Sequence, residues 1–129
     1  MKIRSLSVLI GLTLFTWSCS KESKNGMITG KLANFTGEYV YLQKITETGD
    51  INIDSSKVSK GGEFSIANPA SELDFYIVRT DSVNIIFLVL KAGDDAYVEG
   101  NAKNFEATYS VKGSKDSELL RVLRGYDRT

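Results

Sequence analysis

The feature that most constrains the fold is a series of eight short segments with strand-like patterning, each bounded by turn residues. They are residues 28–32, 38–45, 51–58, 63–66, 74–80, 84–91, 96–102 and 105–112. Short strands of this kind, separated by turn signals, are typical of sandwiches and barrels. We therefore predict an all-β fold: an antiparallel β-sandwich or barrel-like domain of about eight strands over residues 27–112.

Three of these segments carry more specific expectations. Residues 85–90 read IIFLVL without a polar position, which predicts a central strand covered on both faces. Residues 105–112 alternate apolar and polar side chains, which predicts a strand with one solvent-exposed face. The pair Gly61-Gly62 predicts a two-residue hairpin before the fourth strand.

After residue 112 the period changes to that of a helix. Ser114 is placed to cap it, and acidic residues in the first turn with arginines in the last would complement the helix dipole. Leu119, Leu120 and Leu123 form an apolar stripe that either packs on the sandwich or continues into a further segment. We therefore predict that residues 113–129 are the start of a short C-terminal helical segment. Either the sequence is truncated in this segment, or it is a stand-alone copy of the domain.

The N-terminus has the pattern of an export signal. Lys2 and Arg4 precede an apolar stretch over residues 6–15. Ten residues are too few to span a bilayer, which takes about 20, so a signal peptide over residues 1–18 is predicted. Residues 19–26 are polar and unpatterned, which predicts a flexible tether.

Cys19, the one cysteine of the sequence, directly follows this signal and a small residue, Ser18. The arrangement resembles the lipobox of bacterial lipoproteins, although Thr16 and Trp17 depart from its usual residues. We predict acylation of Cys19, membrane lipid as its partner, and anchoring to the cell envelope, at the outer membrane with a periplasmic or surface face. The alternatives are a secreted protein with an unpaired thiol and a thiol that pairs between molecules.

The charge balance argues against nucleic acid as a partner. The whole sequence has 16 basic and 16 acidic side chains, and removal of the signal with Lys2 and Arg4 leaves 14 against 16, a net charge of −2. A protein that neutralises a run of phosphates needs clustered lysines and arginines, which this sequence lacks.

The order of the motifs ITGKL, VYL, IDS, GEFSI, FY and FLVL, followed by GD and VKGS, carries a family resemblance over about residues 27–125. It resembles an uncharacterised β-sandwich domain of unknown function, found at the N-terminus of Bacteroidota-type lipoproteins. In that family the domain usually precedes a helical segment and a thioredoxin-like module of the TlpA type. The resemblance implies the same neighbourhood for this domain.

A thioredoxin-like module needs a Cys-x-x-Cys pair, and this sequence has a single cysteine. We therefore expect a non-catalytic accessory domain associated with a thioredoxin-like oxidoreductase, in cis or in trans. The alternative is a stand-alone envelope binding module for a glycan, a peptide or a partner protein.

The sequence predicts no catalytic residue, no cofactor and no metal site. It contains no histidine, which excludes a Ser-His-Asp triad and imidazole ligation. The acids from Asp50 to Asp54 open like a calcium loop, but Gly61 stands where the final glutamate belongs, so a strand is predicted. Asp94 and Asp95 are interpreted as part of a polar turn rather than as a paired acid site.

Two weaker hypotheses concern surface sites. Five tyrosines on predicted strands would form an aromatic platform for a ligand if they shared one face: Tyr39, Tyr41, Tyr76, Tyr97 and Tyr109. The competing interpretation is that they pack half-buried with hydroxyls in water. Asp81-Ser82-Val83 resembles an acceptor sequence for O-glycosylation, so Ser82 is a predicted modification site.

Overall fold

The computed structural model describes residues 26–80 and 83–126. Within them the chain forms eight strands and two helices in the following order: β1 Met27–Ala33, β2 Tyr39–Thr46, β3 Gly49–Lys57, β4 Glu63–Ala67, β5 Asp74–Arg79, β6 Ile85–Leu90, β7 Ala96–Asn101, α1 Phe105–Thr108, β8 Ser110–Lys112 and α2 Lys115–Tyr126. Neither helix has the length and apolar character that crossing a bilayer requires in these described ranges.

The strands form two four-stranded sheets that pack face to face. Sheet A has the order β4-β1-β7-β8 and sheet B the order β3-β2-β5-β6. All pairs are antiparallel except β1 with β7, which run parallel in the middle of sheet A. The predicted all-β sandwich with a short C-terminal helix is therefore confirmed, with one parallel pair inside it.

The core lies between the sheets and follows from the alternation of the strands. Ile28 and Leu32 of β1 face inward, as do Val40 and Leu42 of β2, and all are essentially inaccessible to solvent. Because successive side chains of a strand point to opposite faces, the residues between them form the outer faces of the sandwich.

The predicted central strand at residues 85–90 is buried as expected, but it is not central in its sheet. β6 lies at an edge of sheet B, where its other neighbour is the helix α2. Ile86, Leu88 and Leu90 face the core, and Val89 is buried on the opposite face. The absence of polar positions reflects cover by a helix rather than by another strand.

The strand predicted at 105–112 is wrong in its first half. Asn104 caps a single helical turn at Phe105–Thr108 by accepting a hydrogen bond from the Ala107 N–H at 3.3 Å, and only Ser110–Lys112 form a strand. Phe105 and Tyr109, four residues apart, are both buried.

The expected hairpin at Gly61-Gly62 is also corrected, because the turn connects two different sheets. β3 belongs to sheet B and β4 to sheet A. Gly62 has a φ of 81°, and its carbonyl accepts a hydrogen bond from the Leu32 N–H at 2.8 Å. A Cβ on Gly62 would collide with the Leu32 carbonyl, so glycine is required by the close approach of β1 as well as by the turn.

The helix predicted after Ser114 is confirmed. The Ser114 hydroxyl accepts a hydrogen bond from the Ser117 N–H at 3.3 Å, as an N-cap does. The same hydroxyl donates to the carbonyl oxygen of Val89 at 2.7 Å, and Ser117 Oγ accepts from the Val89 N–H at 2.8 Å. The cap therefore also closes the free edge of β6.

Candidate functional site

Two of the predicted sites fall outside the part of the chain that the structure describes. Cys19, the predicted lipidation site, precedes residue 26, and Ser82, the predicted O-glycosylation site, lies between the two described ranges. Both stay predictions.

The paired acids Asp94 and Asp95 are placed by turn geometry, as predicted. The Asp94 N–H donates to the Lys91 carbonyl across Gly93, and the Asp94 carboxylate accepts from the Lys91 N–H at 3.1 Å. Asp95 instead accepts from the Met27 N–H at 2.8 Å. Each carboxylate thus stabilises nearby backbone, and within the described residues no group of three or more acids or cysteines is arranged to hold a metal ion.

The predicted strand through Asp50 and Asp54 is confirmed, since both lie in β3. Asp54 pairs with Leu42 of β2, and Asp50 pairs with Ile45. Their spacing along an extended edge strand places them apart, whereas a calcium loop folds its ligands around one point.

The five tyrosines do not share a face. Tyr39 and Tyr41 lie on the outer face of sheet B with ring centroids 6.4 Å apart. Tyr76 and Tyr109 are buried, and Tyr97 lies on the outer face of sheet A. The platform hypothesis is therefore wrong for the set of five, and Tyr97 remains as an exposed ring among polar neighbours.

Asn68 is a buried polar residue that the sequence analysis did not identify. Its side-chain nitrogen donates to the Lys91 and Asp94 carbonyls, each at 3.0 Å, and its side-chain oxygen accepts from the Ala70 N–H at 2.9 Å. Its backbone N–H donates to the Gly26 carbonyl at 2.8 Å. Asn68 therefore fixes the place at which the chain enters the sandwich.

One side of α2 presents an unburied apolar surface. Leu119, Val122 and Leu123 are 58%, 56% and 54% exposed, and we call them the α2 apolar face. The opposite side contacts the sandwich: the Arg121 guanidinium lies 4.5 Å from the Tyr109 ring centroid, and that of Arg124 lies 4.2 Å from the Phe87 ring centroid. Leu119 and Leu123 therefore do not pack on the sandwich, which was one of the two alternatives for the leucine stripe.

A groove lies on the outer face of sheet A, and we call it the sheet A groove. Its first depression, of about 460 Å³, is lined by Thr29, Gly30, Ser56, Lys57, Glu63, Phe64, Ser65 and Tyr97. A second depression of about 350 Å³ is lined by Lys31, Glu99, Asn101, Thr108 and Ser110, among others.

The two depressions are neighbours because of the strand register. Thr29 lies between Ser65 and Tyr97 in one row across the sheet, and Lys31 lies between Glu63 and Glu99 in the next. These residues come from three distant parts of the sequence. The pattern of outward polar positions was visible in the sequence, but the parallel pairing of β1 with β7 that assembles them was not.

Tyr97 is oriented within the groove by one hydrogen bond. Its hydroxyl donates to Glu99 Oε1 at 2.9 Å. This bond to Glu99, with smaller effects from partial burial and the negative charge of Glu63, raises the pKa of the Tyr97 hydroxyl. The phenol therefore stays protonated at neutral pH and acts as a hydrogen-bond donor.

Comparisons with known proteins give a family but no individual relative. Neither the curated proteins nor the solved structures gave a match to this chain. A family model does match, and it begins at the first residue of β1 and extends into α2. The chain belongs to the family described as a domain of unknown function, DUF4369, which covers residues 27–120.

Proposed function

We propose that the chain is a lipid-anchored protein of the bacterial cell envelope. Its folded part would be a non-catalytic accessory domain associated with a thioredoxin-like thiol–disulfide oxidoreductase of the TlpA type, in cis or in trans. The N-terminal signal pattern and Cys19 support the anchor, and the resemblance to Bacteroidota-type lipoprotein domains supports the redox partner.

The entry of the chain into the sandwich supports the role of residues 19–26 as a short tether. Gly26 is buried against the turn at Asp94, where a Cβ would collide with the Asp94 carbonyl. The seven residues that follow Cys19, as a flexible segment, would span on the order of 15 Å. A domain joined to an acylated Cys19 would therefore lie close to the bilayer, with the end that contains Asn68 nearest to it.

The α2 apolar face is the observation that carries the accessory role. Three apolar residues at helical spacing lie more than half exposed at the end of the domain where a following module would begin. Covering them would remove apolar surface from water, which favours association by about 25 cal/mol per Å². The sequence holds a single cysteine, so disulfide chemistry would belong to the partner.

The redox association is tested by binding. The full chain is titrated with a purified TlpA-type thioredoxin-like domain from the same organism, and affinity is measured by calorimetry. We expect binding that is lost in Leu119→Glu/Leu123→Glu and retained in the control Leu73→Glu, an equally exposed leucine outside α2. Lack of binding by the unmodified chain, or an equal loss in the control, would contradict the proposal.

The anchor is tested separately by labelling cells with an alkyne-tagged fatty acid. We expect the label on the unmodified protein in the membrane fraction and its loss in Cys19→Ser. Labelling that persists in Cys19→Ser would contradict acylation at this residue.

A stand-alone binding module is the second candidate function, and the sheet A groove favours it. Ligand pockets typically have volumes of about 300–1,000 Å³, and both depressions of the groove reach this volume, although they are open and shallow.

A further inference from the structure

We propose that the sheet A groove binds an uncharged oligosaccharide, with Tyr97 as the stacking platform. The inference rests on the second candidate function and names its ligand class. Four properties of the groove lead to it: an exposed oriented ring, hydroxyl and carboxylate groups around the ring, balanced charge, and paired backbone beneath.

The ring of Tyr97 is the apolar element of the site. It is 37% exposed, and in the register of the sheet it lies between Thr29 of β1 and Lys112 of β8. The bond from its hydroxyl to Glu99 holds the phenol end of the ring in place. A fixed aromatic face offers apolar contact area at a low cost in side-chain entropy, which suits the C–H face of a sugar ring.

Groups that recognise hydroxyls surround this ring. Thr29 lies next to it, and Ser65 lies one strand further along the same row; both supply hydroxyls that donate and accept hydrogen bonds. Glu63 lines the same depression and supplies carboxylate acceptors, while Lys57 supplies an ammonium donor at its rim. A polyhydroxylated ligand can satisfy donors and acceptors of both kinds at once.

The charge of the groove selects against ionic ligands. Lys31 and Lys57 are matched by Glu63 and Glu99 in the lining of the two depressions, and Lys112 of β8 lies next to Tyr97 at their border. A polyanion would bring its charges against two carboxylates, and a polycation would meet two ammonium groups. A neutral ligand avoids both penalties.

The backbone beneath the groove argues against an extended peptide. β1 is hydrogen-bonded to β4 on one side and to β7 on the other, so its N–H and C=O groups are already paired. A peptide that adds a strand needs an open sheet edge. Recognition over the inner strands β1 and β7 therefore falls to side chains. At the edge strand β4, which also lines the groove, the Ser65 N–H already donates to Ser56 Oγ of β3 at 3.3 Å. Two adjacent depressions indicate more than one sugar unit.

The test uses the full chain and four uncharged tetrasaccharides as probes: chitotetraose, maltotetraose, mannotetraose and xylotetraose. Binding is measured by calorimetry, with a heparin tetrasaccharide as the charged comparison. We expect at least one neutral probe to bind and Tyr97→Ala to weaken it about ten-fold or more, which corresponds to roughly 1.4 kcal/mol.

Tyr41→Ala is the matched control, because Tyr41 is a comparably exposed strand tyrosine on sheet B. Its affinity for the probe should equal that of the unmodified chain. No binding of the four neutral probes, binding of the heparin probe alone, or equal effects of the two tyrosine substitutions would overturn the proposal.

A peptide array separates this failure from that of the binding function itself. Peptide binding that depends on Tyr97, without sugar binding, would overturn the oligosaccharide and leave a binding module. Absence of both sugar and peptide binding would overturn the inference and, with it, the glycan and peptide forms of the binding-module candidate.

Discussion

The two edges of sheet B are protected from further pairing in different ways. At the β6 edge, the Val89 N–H donates to Ser117 Oγ, and the Val89 carbonyl accepts from the hydroxyls of Ser114 and Ser117. The start of α2 therefore takes the place of a neighbouring strand. At the β3 edge no further strand is paired by a backbone ladder within the described residues, and all but one of the nine residues are exposed.

The difference follows from the composition of the two strands. β6 is wholly apolar, and an exposed apolar edge invites pairing with other chains. β3 instead carries Asp50, Asp54 and Lys57, and its register with β2 shifts at Leu42/Gln43. Charges and bulges are known ways of blunting an open edge. A covered edge therefore goes with an apolar strand, and an open edge with a polar one.

The largest expected difference between the edges is in the stability lost when an apolar side chain is truncated to alanine. Leu88→Ala should lower the free energy of unfolding by about 2–5 kcal/mol, because Leu88 is fully buried in β6. Ile53→Ala in β3 should change it by only about 0.5 kcal/mol, because that side chain is exposed. Urea unfolding of both variants measures the contrast. Similar losses would show that the β3 edge is covered in solution.

A smaller effect is expected from the hydrogen bonds that close the β6 edge. Ser117→Ala leaves the buried Val89 N–H without its acceptor and should cost about 1–3 kcal/mol. The control Ser55→Ala, on the exposed β3 strand, should be nearly neutral. Hydrogen exchange at the Val89 amide should accelerate in Ser117→Ala alone. An unchanged exchange rate would contradict the role given to Ser117.

Beneath α2, removal of a polar group should be tolerated or favourable. The Tyr109 hydroxyl is buried without a hydrogen-bond partner among residues 26–80 and 83–126, and burial raises its pKa. Tyr109→Phe should leave stability unchanged or raise it by up to about 1 kcal/mol, because a buried unsatisfied hydroxyl is costly. Thermal unfolding tests this. A clear loss of stability would reveal a partner for the hydroxyl.

The smallest effect concerns an exposed ion pair between the two inner strands of sheet B. Lys44 of β2 and Asp74 of β5 lie 2.8 Å apart, and their hydrogen bond lowers the pKa of Asp74 and raises that of Lys44. The contribution of Asp74 to stability is present above its unfolded pKa and is lost as pH falls through the lowered folded pKa. The contribution of Lys44 is lost only as pH rises through its raised pKa.

Lys44→Met should therefore move the pKa of the Asp74 carboxyl upward, toward its ordinary value. An NMR titration of the side-chain carboxyl carbons measures the shift. An unchanged midpoint for Asp74 would mean that the pair does not form in solution.

The sequence predicted the fold class and seven of the strands because each short apolar or alternating segment is bounded by turn residues, although the alternating isoleucines of β3 are exposed and the buried β6 does not alternate. The prediction of a strand was wrong at residues 105–108, where the spacing of apolar residues fits both a strand and a helical turn. Phe105 and Tyr109 lie on the same side in a strand, which repeats every two residues, and also in one helical turn, which places residues four apart together. Only Ala107 distinguishes the two, because a strand would place it on the same side as Phe105 and Tyr109 and a helical turn would not. In the structure it is exposed, which a small apolar residue tolerates. The Asn104 cap was the local signal for the helix.

The sheet A groove was beyond sequence reasoning for a different reason. Its rows depend on which strands are neighbours, and the parallel pair β1/β7 joins residues about 68 positions apart in the chain, such as Thr29 and Tyr97. Local patterning shows that a residue points outward but not which residue points outward beside it. The same limit applies to Asn68, whose buried role depends on three separate backbone segments.

The central position of β1 also has a mechanical consequence. Force applied at Gly26 along the strand would act on the hydrogen bonds of β1 to both β4 and β7 at once, because both ladders run its length. Bonds loaded together in shear resist rupture better than bonds that open one after another. A domain held at this point could be pulled by its attachment without losing its first strand, and Asn68 would carry the first of that load at the Gly26 carbonyl.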